Sequence, residues 1–290
     1  MTTVGLGRAR NVRGAAGTSV FLGEDLGLHV VDYGGPDDAV PVVLVHGVTG
    51  CTTVWDECAR TICGRRRTVA VDLRGHGDSR WLSDGGYTTE RFATDLSDVI
   101  EWLGGVCDVV GLSWGGLVGV HLASERPASV RRLAVVDAAM GFDQAEADVP
   151  ARPRRFDTIE EVIAWERAAN SFAGETPTEL FARMSCRPGP EGGWERKHDP
   201  VFFERWPFRN DSRWEQFAGL KQPILLVRGR ESFVMPAAVA ARMCNERPRT
   251  DFVEVPDSGH LVALDAPDAL GAALNHFLSA PEDRSASYDR

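Results

Sequence analysis

The sequence predicts one α/β domain, with a mostly parallel sheet, helices on both faces and a helical segment inserted late in the chain. Three observations predict it. Short apolar, β-branched runs alternate with stretches of helical spacing along most of the 290 residues. One run, ending at Leu112, passes through Gly111-Leu112-Ser113-Trp114-Gly115 directly into a helical stretch. Between about residues 141 and 216 the alternation stops.

The elements read in order as follows. Residues 28–33, 42–45 and 68–72 are strands, and the unbroken apolar run at 42–45 marks a strand buried on both faces. Residues 87–103 are a helix, since Phe92, Leu96, Val99, Ile100 and Leu103 fall on one side. A strand at 109–112 meets Ser113, and a helix over 114–125 stops before Pro127. Strands at 130–137, 224–228 and 252–255 and an amphipathic helix at 266–278 complete the pattern. The expected organisation is a core of residues 18–140 and 217–279, a helical cap at 141–216, and flexible tails at 1–17 and 280–290. The cap segment carries Trp165, Trp194, Trp206 and Trp214 without strand periodicity, the composition of a cleft lining.

A formal net charge of −10 argues against nucleic acid or an anionic membrane as partner. No apolar run is long enough to span a bilayer. The cysteines (Cys51, Cys58, Cys63, Cys107, Cys186 and Cys244) form no C-x-x-C pair and no cluster with histidine, which excludes a familiar zinc site. Reduced thiols and no visible signal peptide give a cytoplasmic expectation. Nothing in the sequence speaks to the oligomeric state.

The chemistry centres on Ser113. A G-x-S-x-G string between a strand and a helix is the setting of a nucleophile elbow, in which a strained serine projects its hydroxyl beyond the sheet. The flanking glycines leave room for that turn. The N-terminus of the following helix directs its N–H groups towards developing negative charge. His46-Gly47-Val48 follows the strand at 42–45, so the backbone N–H groups of Val48 and Trp114 are the expected oxyanion donors. His46 is expected to brace its loop. Asp257-Ser258-Gly259-His260 follows the last strand, and His260 is the expected general base. Of the other histidines, His198 is the one placed to touch substrate.

With these residues in hand, the chain resembles the α/β-hydrolase family from about residue 20 to 279. Three marks carry the likeness: His46-Gly47, the string Asp72-Leu73-Arg74-Gly75-His76-Gly77-Asp78-Ser79, and Gly111–Gly116 around Ser113. The resemblance implies an eight-stranded sheet, a serine hydrolase and no cofactor. It also makes Asp72–Ser79 a structural turn. In many members the triad acid lies three residues beyond the glycine that ends the strand before the last. Here that position is Ser232, which cannot stabilise an imidazolium. Asp137, ending the strand at 130–136, is the expected acid, and Glu231 the alternative. The run Ile224–Ser232 with an Asp closing the sixth strand is similar to acetamidomethylene-succinate hydrolase-type members, which take their acid from that strand.

The expected substrate is a small molecule with an ester, lactone or amide-like carbonyl. The same constellation also permits carbon–carbon cleavage of a vinylogous diketone, cofactor-free haloperoxidase or lyase chemistry, or a non-catalytic ligand-binding role. Gly47, Arg154 and Trp165 are candidate substrate contacts. Arg152, Arg154 and Arg155 either bind a substrate carboxylate or form a solvated run.

Overall fold

The computed structural model describes residues 17–23, 27–141, 152–204 and 211–281. The expected tails therefore lie almost wholly outside the described residues, as does Trp206. Eight strands form the main sheet: β1 (Thr18–Leu22), β2 (Leu28–Asp32), β3 (Val42–Val45), β4 (Thr68–Val71), β5 (Cys107–Leu112), β6 (Val130–Val136) and, after an insertion containing three short strands β7–β9, β10 (Ile224–Gly229) and β11 (Thr250–Val255). Their order is β1-β2-β4-β3-β5-β6-β10-β11. The pairings β1–β2 and β2–β4 are antiparallel and the rest parallel. Strand β1 was not expected; its register with β2, Val20 opposite Val30, is an edge pairing that carries no buried run of its own.

The sheet is covered on both faces, and alternation decides which residue goes where. Val43, Val45, Val69, Val109, Leu133, Val135 and Leu226 point to one side, against α2 (Thr89–Trp102) and α3 (Trp114–Glu125). Val42, Leu44, Ala70, Val110, Ala134, Val136 and Val227 point to the other, against α1 (Asp56–Cys63) and α10 (Pro267–Leu278). Each fully buried Val or Leu contributes about 1.5–3 kcal/mol, so a one-residue slip of any central strand is strongly disfavoured. That lock holds the carboxyl ends of β3, β5, β6 and β10 in fixed relation.

The segment between β6 and β10 is not purely helical. It holds α4 (Ile159–Ala169) and α5 (Glu175–Met184), but also an antiparallel sheet of β7 (Arg155–Phe156), β9 (Trp194–Arg196) and β8 (Cys186–Pro188). These strands are two or three residues long, too short to leave a period-2 trace in the sequence. Two short helices follow, α6 (Val201–Glu204) and α7 (Trp214–Gly219). Phe202 and Phe217 join the main core, so this end of the segment is tied to the sheet domain. Helix α8 (Ala237–Glu246) lies between β10 and β11, and the single turn α9 (Val262–Asp265) between β11 and α10. All six cysteines are free. No helix among the described residues is long and apolar enough to cross a membrane.

Candidate active site

Ser113 sits between β5 and α3 with φ 54° and ψ −123°. This conformation is costly for a residue with a Cβ, about 1–3 kcal/mol, and the surroundings impose it. The Ser113 N–H donates to Val136 O at 2.9 Å, and the Gly116 N–H donates to Ser113 O at 2.9 Å. The turn closes so tightly that a Cβ at Gly111 would lie 2.2 Å from Gly115 O, and one at Gly115 would lie 2.4 Å from Val45 O. Glycine at both places is therefore a steric requirement. Among the described residues, the non-glycine residues with positive φ are Thr49, Ser113, Asp137 and Asp257. They stand in the loops that bear Val48, Ser113, Asp137 and His260. Strain is concentrated where the chemistry was expected.

The first loop runs alongside Ser113: a Cβ on Gly47 would approach Ser113 Cβ to 2.7 Å and its Oγ to 3.2 Å. His46 is fully buried and braces this loop. The Leu73 N–H donates to His46 Nε2 at 3.0 Å, so Nδ1 carries the proton and donates to Gly47 O at 2.7 Å. Burial holds its imidazole below the ordinary value, consistent with a neutral brace. Trp114 is buried, and its indole Nε1–H donates to Thr89 Oγ1 at 2.7 Å. Its ring meets Phe92 edge-on at 4.7 Å between centroids. The residue that opens α3 is thereby immobilised.

Asp137 follows β6 and is fully buried. Its N–H donates to Val227 O at 2.7 Å, anchoring it to β10. Its carboxylate gathers donors from two loops: the Gly229 N–H at 3.0 Å, the Ser232 hydroxyl, and His260 Nδ1 at 2.7 Å. Ser232, the position at which the sequence resemblance would place an acid, donates its hydroxyl to Asp137. Glu231 is exposed, with its N–H bonded to Ser258 O at 2.9 Å. The structure brings Asp137 to His260 and leaves Glu231 at the surface.

Asp265 was not singled out in the sequence. It ends α9, and its Oδ2 accepts the Gly259 N–H at 2.8 Å. Burial raises its carboxyl to about 6. The available signal was an acid one helical turn beyond His260.

Asp72 behaves as the expected structural anchor. It accepts from His29 Nδ1 at 2.7 Å, the Thr52 N–H at 2.7 Å and the Asp78 N–H at 3.0 Å. Burial opposes its ionisation, but the His29 hydrogen bond and charge prevail and hold it at about 2. His29, Asp72 and Asp78 are close enough to share an ion. Both His29 nitrogens are already bonded, to Asp72 and Ser19.

Arg152, Arg154 and Arg155 do not act together. Arg154 is exposed, and Arg155 pairs with Glu191 and Glu195. Arg152 lies over the half-buried Trp165 ring at 5.3 Å, with Arg196 also against that ring at 4.7 Å. Arg196 is buried and bonded to Glu166 and to Pro153 O, and its Nη2 has no hydrogen-bond partner among the described residues. His198 is buried, with its ring 6.4 Å from that of His76. Burial, His76, Arg196, Arg152 and His46 all depress its pKa.

A nucleophile elbow at the carboxyl end of a parallel sheet, with a histidine loop after the last strand, defines a class, and the chain belongs to the Alpha/beta hydrolase family, whose model matches residues 42–273. It is an enzyme of that family, a hydrolase. The chain is 30% identical over 281 residues to a 3-hydroxybutyrate-oligomer hydrolase of Cupriavidus necator, covering 88% of this chain and 94% of the relative. It is 29% identical over 260 residues to 2-(acetamidomethylene)succinate hydrolase of Mesorhizobium japonicum, covering 82% and 88% of the two chains. The crystal structure of an E-2-(acetamidomethylene)succinate hydrolase superposes with a TM-score of 0.80 at 26% identity, over 94% of this chain and 99% of that one.

Proposed function

We propose that this hydrolase cleaves an ester, lactone or amide-like bond of a small molecule through Ser113, His260 and Asp137, by way of an acyl-enzyme. The observation that carries this reading is the buried Asp137 carboxylate on His260 Nδ1, beside a serine held in a strained turn. With Nδ1–H committed to Asp137, Nε2 is the nitrogen left to take a proton. It removes the Ser113 proton as Oγ bonds to the carbonyl carbon. The oxyanion rests on the Val48 and Trp114 N–H groups. As the bond to the leaving atom breaks, His260 returns the proton to that atom. Water then repeats the sequence and releases the acid. No step requires a cofactor.

The inserted segment acts as a lid in this reading. It is tied to the stretch after β4 by the Asp199 N–H on Gly75 O at 2.7 Å, Tyr87 Oη–H on Asp199 at 2.6 Å, and Trp81 Nε1–H on Lys197 O at 3.1 Å, which supports this reading. Free thiols fit a cytoplasmic setting.

The test is labelling by a fluorophosphonate probe, with turnover of an ester, a lactone, an amide and a vinylogous diketone. Labelling lost on Ser113→Ala and turnover of the acyl substrates support the proposal. Labelling that survives Ser113→Ala overturns it. Turnover of the diketone alone moves the chemistry to carbon–carbon cleavage, and labelling with no turnover of any substrate points to a lyase, a haloperoxidase or a binding protein.

A further inference from the structure

Two large aromatic side chains stand at the loop that bears His260, with much of their surface in water. Phe233 is 61% exposed, and its ring centroid lies 6.4 Å from that of the imidazole. Phe172 is 44% exposed and lies against the residue before His260, such that a Cβ on Gly259 would sit 3.5 Å from its Cδ2. The exposed large apolar side chains among the described residues are Val106, Phe172, Phe233 and Phe252. Two of them stand at the loop that bears His260, Phe233 facing its ring and Phe172 against Gly259, from segments distant in sequence. Neither Phe172 nor Phe233 belongs to an apolar cluster of the described residues, so packing among those residues does not account for them.

Both are presented by rigid turns. Phe233 follows Ser232, whose hydroxyl is held by Asp137 and accepts the Val234 N–H at 3.2 Å. Two residues on, Met235 is fully buried. Phe172 stands between Asn170, buried and bonded to Glu166, and Ala173, which packs on the core and donates its N–H to Asn170 O at 3.0 Å. An aromatic ring held outward at both ends binds an apolar partner with little ordering cost.

The chemistry decides which part of the substrate meets them. His260 hands its proton to the leaving atom, so the leaving group lies on the His260 side of the carbonyl carbon and the acyl chain on the other. We propose that Phe172 and Phe233 form an apolar binding site for the leaving group, so that the substrates are esters of apolar alcohols, either aromatic or medium-chain alkyl. Moving the acid to Asp137 leaves the loop after β10 with no catalytic carboxylate to carry, and that loop presents Phe233 instead. This inference rests on the Ser113–His260 reading.

The experiment measures kcat/KM, which reports acylation, for wild type, Phe172→Ala, Phe233→Ala and the double variant. One ester series fixes the acetyl group and lengthens the alcohol from ethyl to hexyl and benzyl. The other fixes ethanol and lengthens the acyl group from acetyl to octanoyl. In the wild type, hexyl and benzyl acetate should exceed ethyl acetate by about tenfold or more. Each alanine should remove about tenfold from hexyl and benzyl acetate and less than about twofold from ethyl acetate. The slope of the acyl series should be unchanged. Phe233→Leu should keep most of the preference, and an ethoxy fluorophosphonate should label every variant at the wild-type rate, showing that the site is intact.

Equal loss on all esters, a flattened acyl series, or no alcohol preference in the wild type overturns the inference. So does an unchanged ester profile with altered gel-filtration elution, which would assign the aromatics to self-association. Survival of labelling in Ser113→Ala fails the parent reading instead, and the two failures are distinct.

Discussion

Asp137→Asn isolates the acid of the proposed triad with the least change of shape. The carboxylate takes the Gly229 N–H on Oδ1, and the Ser232 hydroxyl and His260 Nδ1 on Oδ2. An amide cannot serve all three. With its oxygen towards His260, its NH2 opposes the Gly229 N–H. With its NH2 towards His260, the imidazole must move its proton to Nε2, and that nitrogen can no longer accept from Ser113. Loss of the correct tautomer costs about 10⁴ in kcat, equivalent to about 5.5 kcal/mol of transition-state stabilisation. Glu231→Gln alters an exposed side chain and should change kcat by less than about twofold. The assay is hydrolysis of p-nitrophenyl acetate, with the fluorophosphonate labelling rate as a second readout. Asp137→Asn/Ser232→Asp adds a positive test. Ser232 already reaches the oxygen that serves His260, so a carboxylate at 232 should recover about a hundredfold of the loss. Near-normal turnover in Asp137→Asn, combined with loss in Glu231→Gln, would refute the assignment.

The neighbouring geometry carries three further tests. Gly47→Ala would place a Cβ 2.7 Å from Ser113 Cβ, and the displaced hydroxyl should lower kcat/KM about a hundredfold with the protein still folded by circular dichroism. Asp72→Asn breaks a buried ionic anchor and should cost about 3 kcal/mol, a fall in Tm of roughly 6–12 °C. Because the Asp72 carboxyl is held at about 2, below its ordinary 3.8, its stabilisation is present above pH 3.8 and lost as the pH falls through 2, so the Tm gap should persist at pH 7 and close in acid. Asp265 has the opposite sign: burial raises it to about 6 from 3.8, so its contribution is full below 3.8 and lost as pH rises through 6. Asp265→Asn keeps an acceptor for the Gly259 N–H and removes that titration, so the variant-minus-wild-type difference in Tm should grow between pH 4 and 7, by no more than about 3 kcal/mol in stability.

The sequence by itself determined the parallel core and the place of Ser113. Continuous apolar runs such as Val42–Val45 are only stable when buried on both faces, and a serine between glycines at a strand–helix junction has one economical geometry. His260 was legible for the same reason, since its loop follows the last strand. The acid was partly legible: a serine at position 232 excluded one place, and the resemblance favoured Asp137 over Glu231, but the two lie almost a hundred residues apart and the sequence does not show which of them meets His260. Pairing β6 with β10 sets Asp137 beneath Gly229 and against His260, while Glu231 is turned to solvent. Only tertiary structure disclosed the short strands of the insertion, because two or three residues carry no period. Only tertiary structure dispersed Arg152, Arg154 and Arg155, whose nearness in sequence says nothing of where their side chains go, and brought Phe172 to the histidine loop that Phe233 also faces. Backbone periodicity is a local property and is written in the chain, whereas the meeting of side chains from separate loops is set by how the sheet brings its strand ends together.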